Sequence, residues 1–225
     1  MDSYSTRPIN CSIPSGDFVI LALDTAGPYP VVAAVSAEED ILFAGSGERT
    51  RAHAEDLAPL LREALSCGEP SAVAVGRGPG AFTGLRVGLV AAQTLGWAIN
   101  IAVAGVCSLD VVAVQFGLSD GWAVLDARRD EVYLAQYQRG IRLDGPMVLS
   151  KSGAQERIDD QPAVGDTELL RQPDRRARGG TSIDPNALAA VALVACQSRS
   201  PEPPEPDYLR SPDVTWSAAN SGRSI

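Results

Sequence analysis

The chain is 225 residues long, 45% apolar and 21% charged, with a formal net charge of −9 at pH 7. That length can bury a real core as one large domain or two small ones. The acidic balance disfavours direct nucleic-acid binding, which needs a basic face to release counterions, and the nineteen basic residues are scattered apart from Arg175-Arg176-Ala-Arg178.

The four cysteines, Cys11, Cys67, Cys107 and Cys196, form no Cys-x-x-Cys pair and read as reduced thiols of a cytosolic protein, not a disulfide frame or zinc knuckle. The N-terminus shows no basic region followed by an apolar core, so no signal peptide is expected. The most apolar region, 85–107, is broken by Arg86, Gln93, Thr94 and Asn100, and a bilayer span needs ~20 nearly unbroken apolar residues.

In chain order, 1–16 has no period and reads as a loose leader. Phe18-Val-Ile-Leu-Ala-Leu23 is a buried strand ending at Asp24-Thr25. Gly27, Pro28 and Pro30 turn the chain into a strand at 31–35, and 36–40 turns it again before 41–44, a meander that starts from a central strand. Ala54, Leu57, Ala58, Leu61 and Leu65 carry the stripe of an amphipathic helix, in which Pro59 requires either a late start near Asp56 or a bend. A strand at 71–75 then empties into Gly76, Gly78, Pro79 and Gly80, and a helix runs from about 82 to 99. Val87, Val90, Ala91, Thr94, Leu95 and Ala98 give that helix an apolar surface needing cover on more than one side. Ile101 to Ala104 is a further strand, and Ser108 is read as the N-cap of a helix ending near Phe116.

From Gly121 the order starts again. Trp122-Ala-Val-Leu125 ends at Asp126 much as the first strand ends at Asp24. Strands at 132–137 and 141–149, a short helix at 151–158, a strand at 163–164 and a helix at 186–196 follow, the last capped by Asp184 or Ser182 with Pro185 in its first turn. The doubled β-β-β-α-β-α-(β) pattern means α/β layering. Residues 198–206 carry four prolines and read as a linker or exposed arm; Tyr208-Leu-Arg210 is an amphipathic anchor, and the polar stretch 211–225 holds Trp216.

The glycine turn invites cofactor templates, because a strand–glycine–helix junction exposes unpaired amides at the positive end of a helix. A Walker A loop needs a lysine, and the only one in the chain is Lys151. Gly76-x-Gly78-x-x-Ala81 has dinucleotide spacing, but Pro79 interrupts it and no acidic residue ends the next strand. The default is close helix–strand packing. Asp24 and Asp126 are either Mg²⁺-nucleotide ligands, acid–base groups or turn makers. His53, the only histidine, has no second ligand at metal spacing and no nucleophile elbow, and reads as a cap or partner contact.

Several pieces resemble one family. They are Leu21-Ala-Leu-Asp-Thr-Ala26, Arg51-Ala-His53 ahead of the leucine stripe, Gly78-Pro-Gly-Ala-Phe-Thr-Gly-Leu-Arg-Val-Gly88, Leu125-Asp-Ala-Arg-Arg129 with Glu131-Val-Tyr133, and Pro206-Asp-Tyr-Leu-Arg210. Together they resemble the TsaB (YeaZ) family of the bacterial tRNA threonylcarbamoyladenosine machinery, from about 18 to 212. The resemblance implies an actin/Hsp70-like (ASKHA, ribonuclease H-like) α/β fold of two related lobes, each with a mixed sheet and flanking helices. On this chain that gives a first lobe at 17–106 completed by 207–217, a second, smaller lobe at 107–200, a connector at 201–206 and a tail at 218–225.

The catalytic paralogue TsaD carries a Gly-Val-x-His-x-x-x-His metal element. Here the matching stretch is Gly105-Val-Cys-Ser-Leu-Asp-Val-Val112, with Ser108 and Val112 in place of the histidines. The resemblance therefore implies no catalytic residues and no metal. It implies a scaffold that pairs with TsaD, or with itself when alone, works with the TsaE ATPase, and meets tRNA only through the complex, in the cytoplasm and without a membrane. Pairing through first-lobe helices would use His53, Leu57, Leu61, Phe82, Thr83, Leu85, Arg86, Leu89 and Val90. No cofactor is required, although ATP or ADP at a lobe or subunit interface would meet Asp24, Gly78, Gly80 and Asp126. Two other readings stand beside this one: a self-sufficient ATP-binding enzyme of the same fold, and a metal-dependent glycopeptidase.

Overall fold

Every residue of Ile20-Leu-Ala-Leu23 is buried, so the strand that holds them, β1 (Val19–Asp24), must be covered on both faces. Antiparallel to it lies β2 (Val31–Ser36), followed by β3 (Ile41–Ser46); on its other side lie β4 (Pro70–Gly78) and β5 (Ala102–Cys107), both parallel to it. The sheet order is β3-β2-β1-β4-β5, the meander from a central strand expected from the sequence, with β4 and β5 added beyond β1. The computed structural model describes residues 18–50, 52–171 and 181–209. The leader, Arg51, the 175–178 arginine run, Arg210 and Trp216 lie outside the described residues.

Helices α1 (His53–Ser66) and α2 (Phe82–Ile99) cover one face, where Leu57, Ala64, Leu85, Leu89 and Ala92 meet Leu21, Leu23, Val32, Ala34, Val73 and Val75. Pro59 is absorbed inside α1, which starts at His53 and not near Asp56. The cap of the next helix, α3 (Ser108–Gln115), is also displaced from expectation: Cys107 is the N-cap, which frees the Ser108 hydroxyl for a different bond.

The second sheet repeats the first among the described residues. Its strands β6 (Gly121–Arg128), β7 (Glu131–Gln138), β8 (Ile141–Ser150) and β9 (Ala163–Gly165) stand in the order β8-β7-β6-β9, with β6 antiparallel to β7 and parallel to β9. So β6 occupies the place of β1. This is the actin/Hsp70-like fold, two related lobes of mixed sheet and helix. On the outer face of the second sheet, α4 (Lys151–Ile158) packs with the short α5 (Glu168–Arg171) over Trp122, Val124, Val132 and Leu134.

One assignment needs correcting. The last helix, α6 (Pro185–Gln197), falls in the span expected for the second lobe but packs across the strands of the first sheet. Leu188, Ala189, Ala192, Leu193 and Cys196 share one buried cluster with Ile20, Ala22, Val31, Ala33 and Val35. Without α6, the apolar β1–β2 face opposite α1 and α2 would be bare. Its first turn is held as expected, with Asp184 accepting the Asn186 and Ala187 amides at 3.0 and 2.9 Å. Because α3 packs against both α6 and β6, the core between the lobes is continuous.

Candidate functional site

The end of β1 is built into a groove of glycines. A β-carbon at Gly76 would collide with the Asp24 carboxylate, one at Gly80 would lie 2.7 Å from Ala26 Cβ, and one at Gly84 would lie 2.5 Å from the Thr25 carbonyl oxygen. At Gly88 it would run into the Thr25 hydroxyl. Glycines at four-residue intervals thus let Asp24-Thr25-Ala26 settle directly on the turn and on one face of α2. The hydroxyl of buried Thr25 donates to the Gly84 carbonyl at 2.7 Å and accepts the Gly88 amide at 3.0 Å. Close packing, the default reading of the glycines, is what they do.

Asp24 is wholly buried and both its carboxylate oxygens are engaged: Oδ1 accepts the Ala26 amide at 2.6 Å, and Oδ2 accepts the Ser108 hydroxyl at 2.6 Å. Burial raises its pKa above the usual carboxylate range, a shift that the bonds from Ser108 and Ala26 moderate. Ser108 stands where the paralogue's first histidine is expected, and Val112, at the second, is buried in the interlobe core. His53 Nε2 lies 3.0 Å from the Gly27 carbonyl oxygen, so its ring ties the start of α1 to the β1–β2 loop.

Between the lobes lies a cleft of about 540 Å³. Gly27 and Pro28, the turn from Pro79 to Thr83, Asp126, Tyr133, Asp166 and Tyr208 are on its walls. Gly80 and Asp126 thus both line this one cleft. Asp24 and Gly78 are not among the lining residues: Asp24 is sealed beneath the glycines, and buried Gly78, at φ +98°, packs against Leu85. As cleft-contacting groups these two are corrected.

The acidic groups of the wall are already bonded within the chain. Asp126 accepts the Arg128 amide at 2.8 Å in a turn of its own, with the Arg128 Nε at 3.5 Å from its second oxygen. Asp166, which the sequence reading missed, accepts the Asp126 amide at 2.8 Å and the Thr181 amide and hydroxyl at 2.5 and 2.7 Å. Burial raises the Asp166 pKa. For a nucleotide, the groups that fit are the amides at the start of α2, whose N-cap, Ala81, supplies no side-chain acceptor. Among the described residues no three His, Cys, Asp or Glu side chains are grouped to hold a metal.

The pairing residues expected on the first-lobe helices divide between core and surface. Leu57, Leu85 and Leu89 are buried beneath their helices and hold them to the sheet, so they are corrected from surface to core. His53, Leu61 and Phe82 are half-buried; Thr83, Arg86 and Val90 are exposed. The structure adds Gln93 and Trp97, which continue Thr83, Arg86 and Val90 along one helix face at the spacing of α2. Val90 is 61% and Trp97 86% exposed. Extending the i, i+4, i+7 series from Arg86 would have found Trp97, but the apolar residues on the opposite face drew the assignment inward.

A family profile described as TsaD, tRNA N6-adenosine threonylcarbamoyltransferase, matches residues 47–147. An uncharacterized protein of Mycobacterium tuberculosis is 39% identical over 205 residues, 87% of this chain and 93% of that protein. The tRNA threonylcarbamoyladenosine biosynthesis protein TsaB of Bacillus subtilis is 30% identical over 166 residues, covering 69% of this chain and 67% of its own length. The solved structure of YeaZ from Pseudomonas aeruginosa superposes with a TM-score of 0.68 at 27% identity, over 85% of this chain and all (100%) of that one. By its sequence relatives and by the shape of its two lobes, the chain belongs to the TsaB (YeaZ) family.

Proposed function

We propose that the chain is a non-catalytic scaffold subunit in tRNA threonylcarbamoyladenosine biosynthesis. Its α2 face binds and stabilises a TsaD-like catalytic paralogue, or a second copy of the chain when the paralogue is absent. The assembly works with a TsaE-like ATPase in the cytoplasm and meets tRNA through the partner, since this chain is acidic. The observation that carries this reading is the exposed stripe Arg86, Val90 and Trp97, because an aromatic ring 86% open to water on an otherwise well-packed helix is a ready interface anchor. The non-catalytic part rests on Ser108 being committed to Asp24 and Val112 to the core. Light scattering on a mixture with the cognate TsaD should give a complex that W97A weakens, and tRNA modification reconstituted without this chain should fall. Normal modification without it, and no complex with it, would refute the reading.

A second reading, nucleotide binding by the chain itself, is favoured by the cleft and by the open start of α2 on its wall. Calorimetric titration of the isolated chain with Mg-ATP decides it. Saturable heat that a bulky Ala81→Trp substitution, at an exposed position on the cleft wall, abolishes with the fold intact would support a site there; no heat would end it.

A further inference from the structure

The Pro-rich segment after α6, expected as a linker or an exposed arm, is bonded into the molecule along its length. Gly105 donates its amide to the Glu202 carbonyl at 2.7 Å, a single antiparallel bridge on the edge of β5. The Glu202 carboxylate meets Arg77 of β4 at 3.2 Å and Arg142 of β8 at 2.6 Å, one group from each lobe. Arg142 is also 3.0 Å from Asp110 on α3, which takes the Tyr137 hydroxyl at 2.7 Å. Further along, the Asp207 amide donates to the Arg77 carbonyl at 2.8 Å, and its carboxylate meets the Arg77 guanidinium at 2.6 Å.

Between these anchors Gln93 donates to the Pro204 carbonyl at 2.8 Å, and just past them Arg86 Nε donates to the Tyr208 hydroxyl at 3.0 Å. The arm therefore runs antiparallel along α2, from Gln93 back to Arg86. At its end the Tyr208 ring lies 4.9 Å from the Phe82 ring, and the Arg86 guanidinium lies 3.9 Å from the centroid of Phe82. Tyr208 and Phe82 are both on the cleft wall, while Arg86 is on the exposed face. A Pro-rich arm suits this use, since fixed φ angles reduce the entropy lost when it is ordered.

We propose that residues 202–209 are a strap that ties the two lobes through Glu202 and, with Tyr208 as a positioning residue, sets Phe82 and Arg86 at the start of the pairing face. Releasing the strap loosens the cleft and the pairing face together while each lobe stays folded. The pairing half of this rests on the function proposed above; the lobe-tying half stands on the free chain.

The test is hydrogen–deuterium exchange on the full-length free chain and its variants, with affinity for the TsaD-like paralogue, or self-association, measured in parallel. In the double variant Glu202→Gln/Asp207→Asn, the amides of Gly105, of position 207 and of 85–89, all of them past the unpaired first amides of α2, should exchange about tenfold faster, with circular dichroism unchanged, and pairing should weaken about tenfold, since bonds to charged groups are lost. Tyr208→Ala should weaken pairing without changing exchange at Gly105, and Tyr208→Phe, which keeps the ring, should recover most of that loss. Unchanged exchange at 85–89 in the double variant overturns the strap. Faster exchange with unaltered affinity overturns its positioning role. Should the wild-type chain pair with nothing, the pairing reading falls and the positioning role with it, while exchange in the free chain still decides the strap.

Discussion

Thr25 and Gly88 complete each other: the Gly88 amide donates to the threonine hydroxyl at 3.0 Å, and that hydroxyl donates in turn to the Gly84 carbonyl at 2.7 Å. A strand-end side chain thus sits inside the hydrogen-bonding pattern of α2, bridging residues four apart. Only glycines allow the approach, because a β-carbon at either position would strike Thr25. The block that resembles a phosphate cradle is the seat on which β1 rests.

Replacing Gly84 or Gly88 by alanine should therefore destabilise the chain. An exposed helical glycine gains ~1 kcal/mol on becoming alanine; here overpacking against a buried backbone should cost about 1–3 kcal/mol instead. Urea unfolding of G84A and G88A measures the sign, and a stabilised variant would contradict the close contact.

Stability should depend on pH in a definite direction. Burial raises the pKa of Asp24, Asp110 and Asp166, so the folded chain holds these protons more tightly than the unfolded chain does. Between the ordinary carboxylate value, about 4, and the raised values, stability rises as pH falls and is lost as pH climbs through the window. Asp56 and Asp120, held below the usual range by Arg49 and by Ser119, act oppositely and only at more acid pH. D24N removes the largest single burial, so the deficit of D24N relative to wild type should shrink as pH rises. Denaturant titrations across the acid-to-neutral range test this; a deficit that grows toward neutral pH would show that the ionised carboxylate is the favoured form.

Surface and core positions of α2 should separate cleanly. Trp97→Ala should leave thermal stability within experimental scatter, yet weaken pairing by about 2 kcal/mol if the ring is an interface anchor. Leu89→Ala should do the reverse, lowering stability by about 2–5 kcal/mol through the cavity it leaves. Calorimetric melting and light scattering on the same two proteins read both effects.

Thiol chemistry offers a separate check on burial. Cys67 is exposed, whereas Cys107 and Cys196 are buried, and burial pushes the Cys107 thiol up to about 12. Among these three, alkylation of the native chain at mildly alkaline pH should modify Cys67 first. Cys107 and Cys196 should react only as the chain unfolds, because the thiolate is the nucleophile and neither is reachable. Mass spectrometry of tryptic peptides assigns the order, and early modification of Cys107 would mean the interlobe core opens readily.

Much of this architecture is written locally. The unbroken apolar run at 20–23, the meander that follows it, the leucine stripe of α1 and the second start at Gly121 each depend on periods of two or 3.6 residues and on short connections. The doubled order of elements and the family's glycine block followed from the same reading. The turn role of Asp24 and Asp126 was one of the alternatives the sequence offered, since an aspartate bonding the amide two residues on is a local event.

What tertiary structure decided are the relationships between distant segments. Asp24 meets Ser108 across 84 positions, and Arg77 meets Glu202 across 125; no periodicity carries such pairings. The same limit misplaced α6, whose helical pattern says that it is apolar without saying which sheet it covers. It also turned Leu85 and Leu89 outward: α2 is apolar on both sides, and a stripe identifies residues that share a face, not the face that meets the core. Sequence alone determined the elements, their repetition and the family, because short-range sterics and hydrophobic spacing set them. The buried carboxylate, the exposed Trp97 and the strap across the lobes exist only once the two sheets are packed, because each depends on which surfaces that packing leaves covered or open.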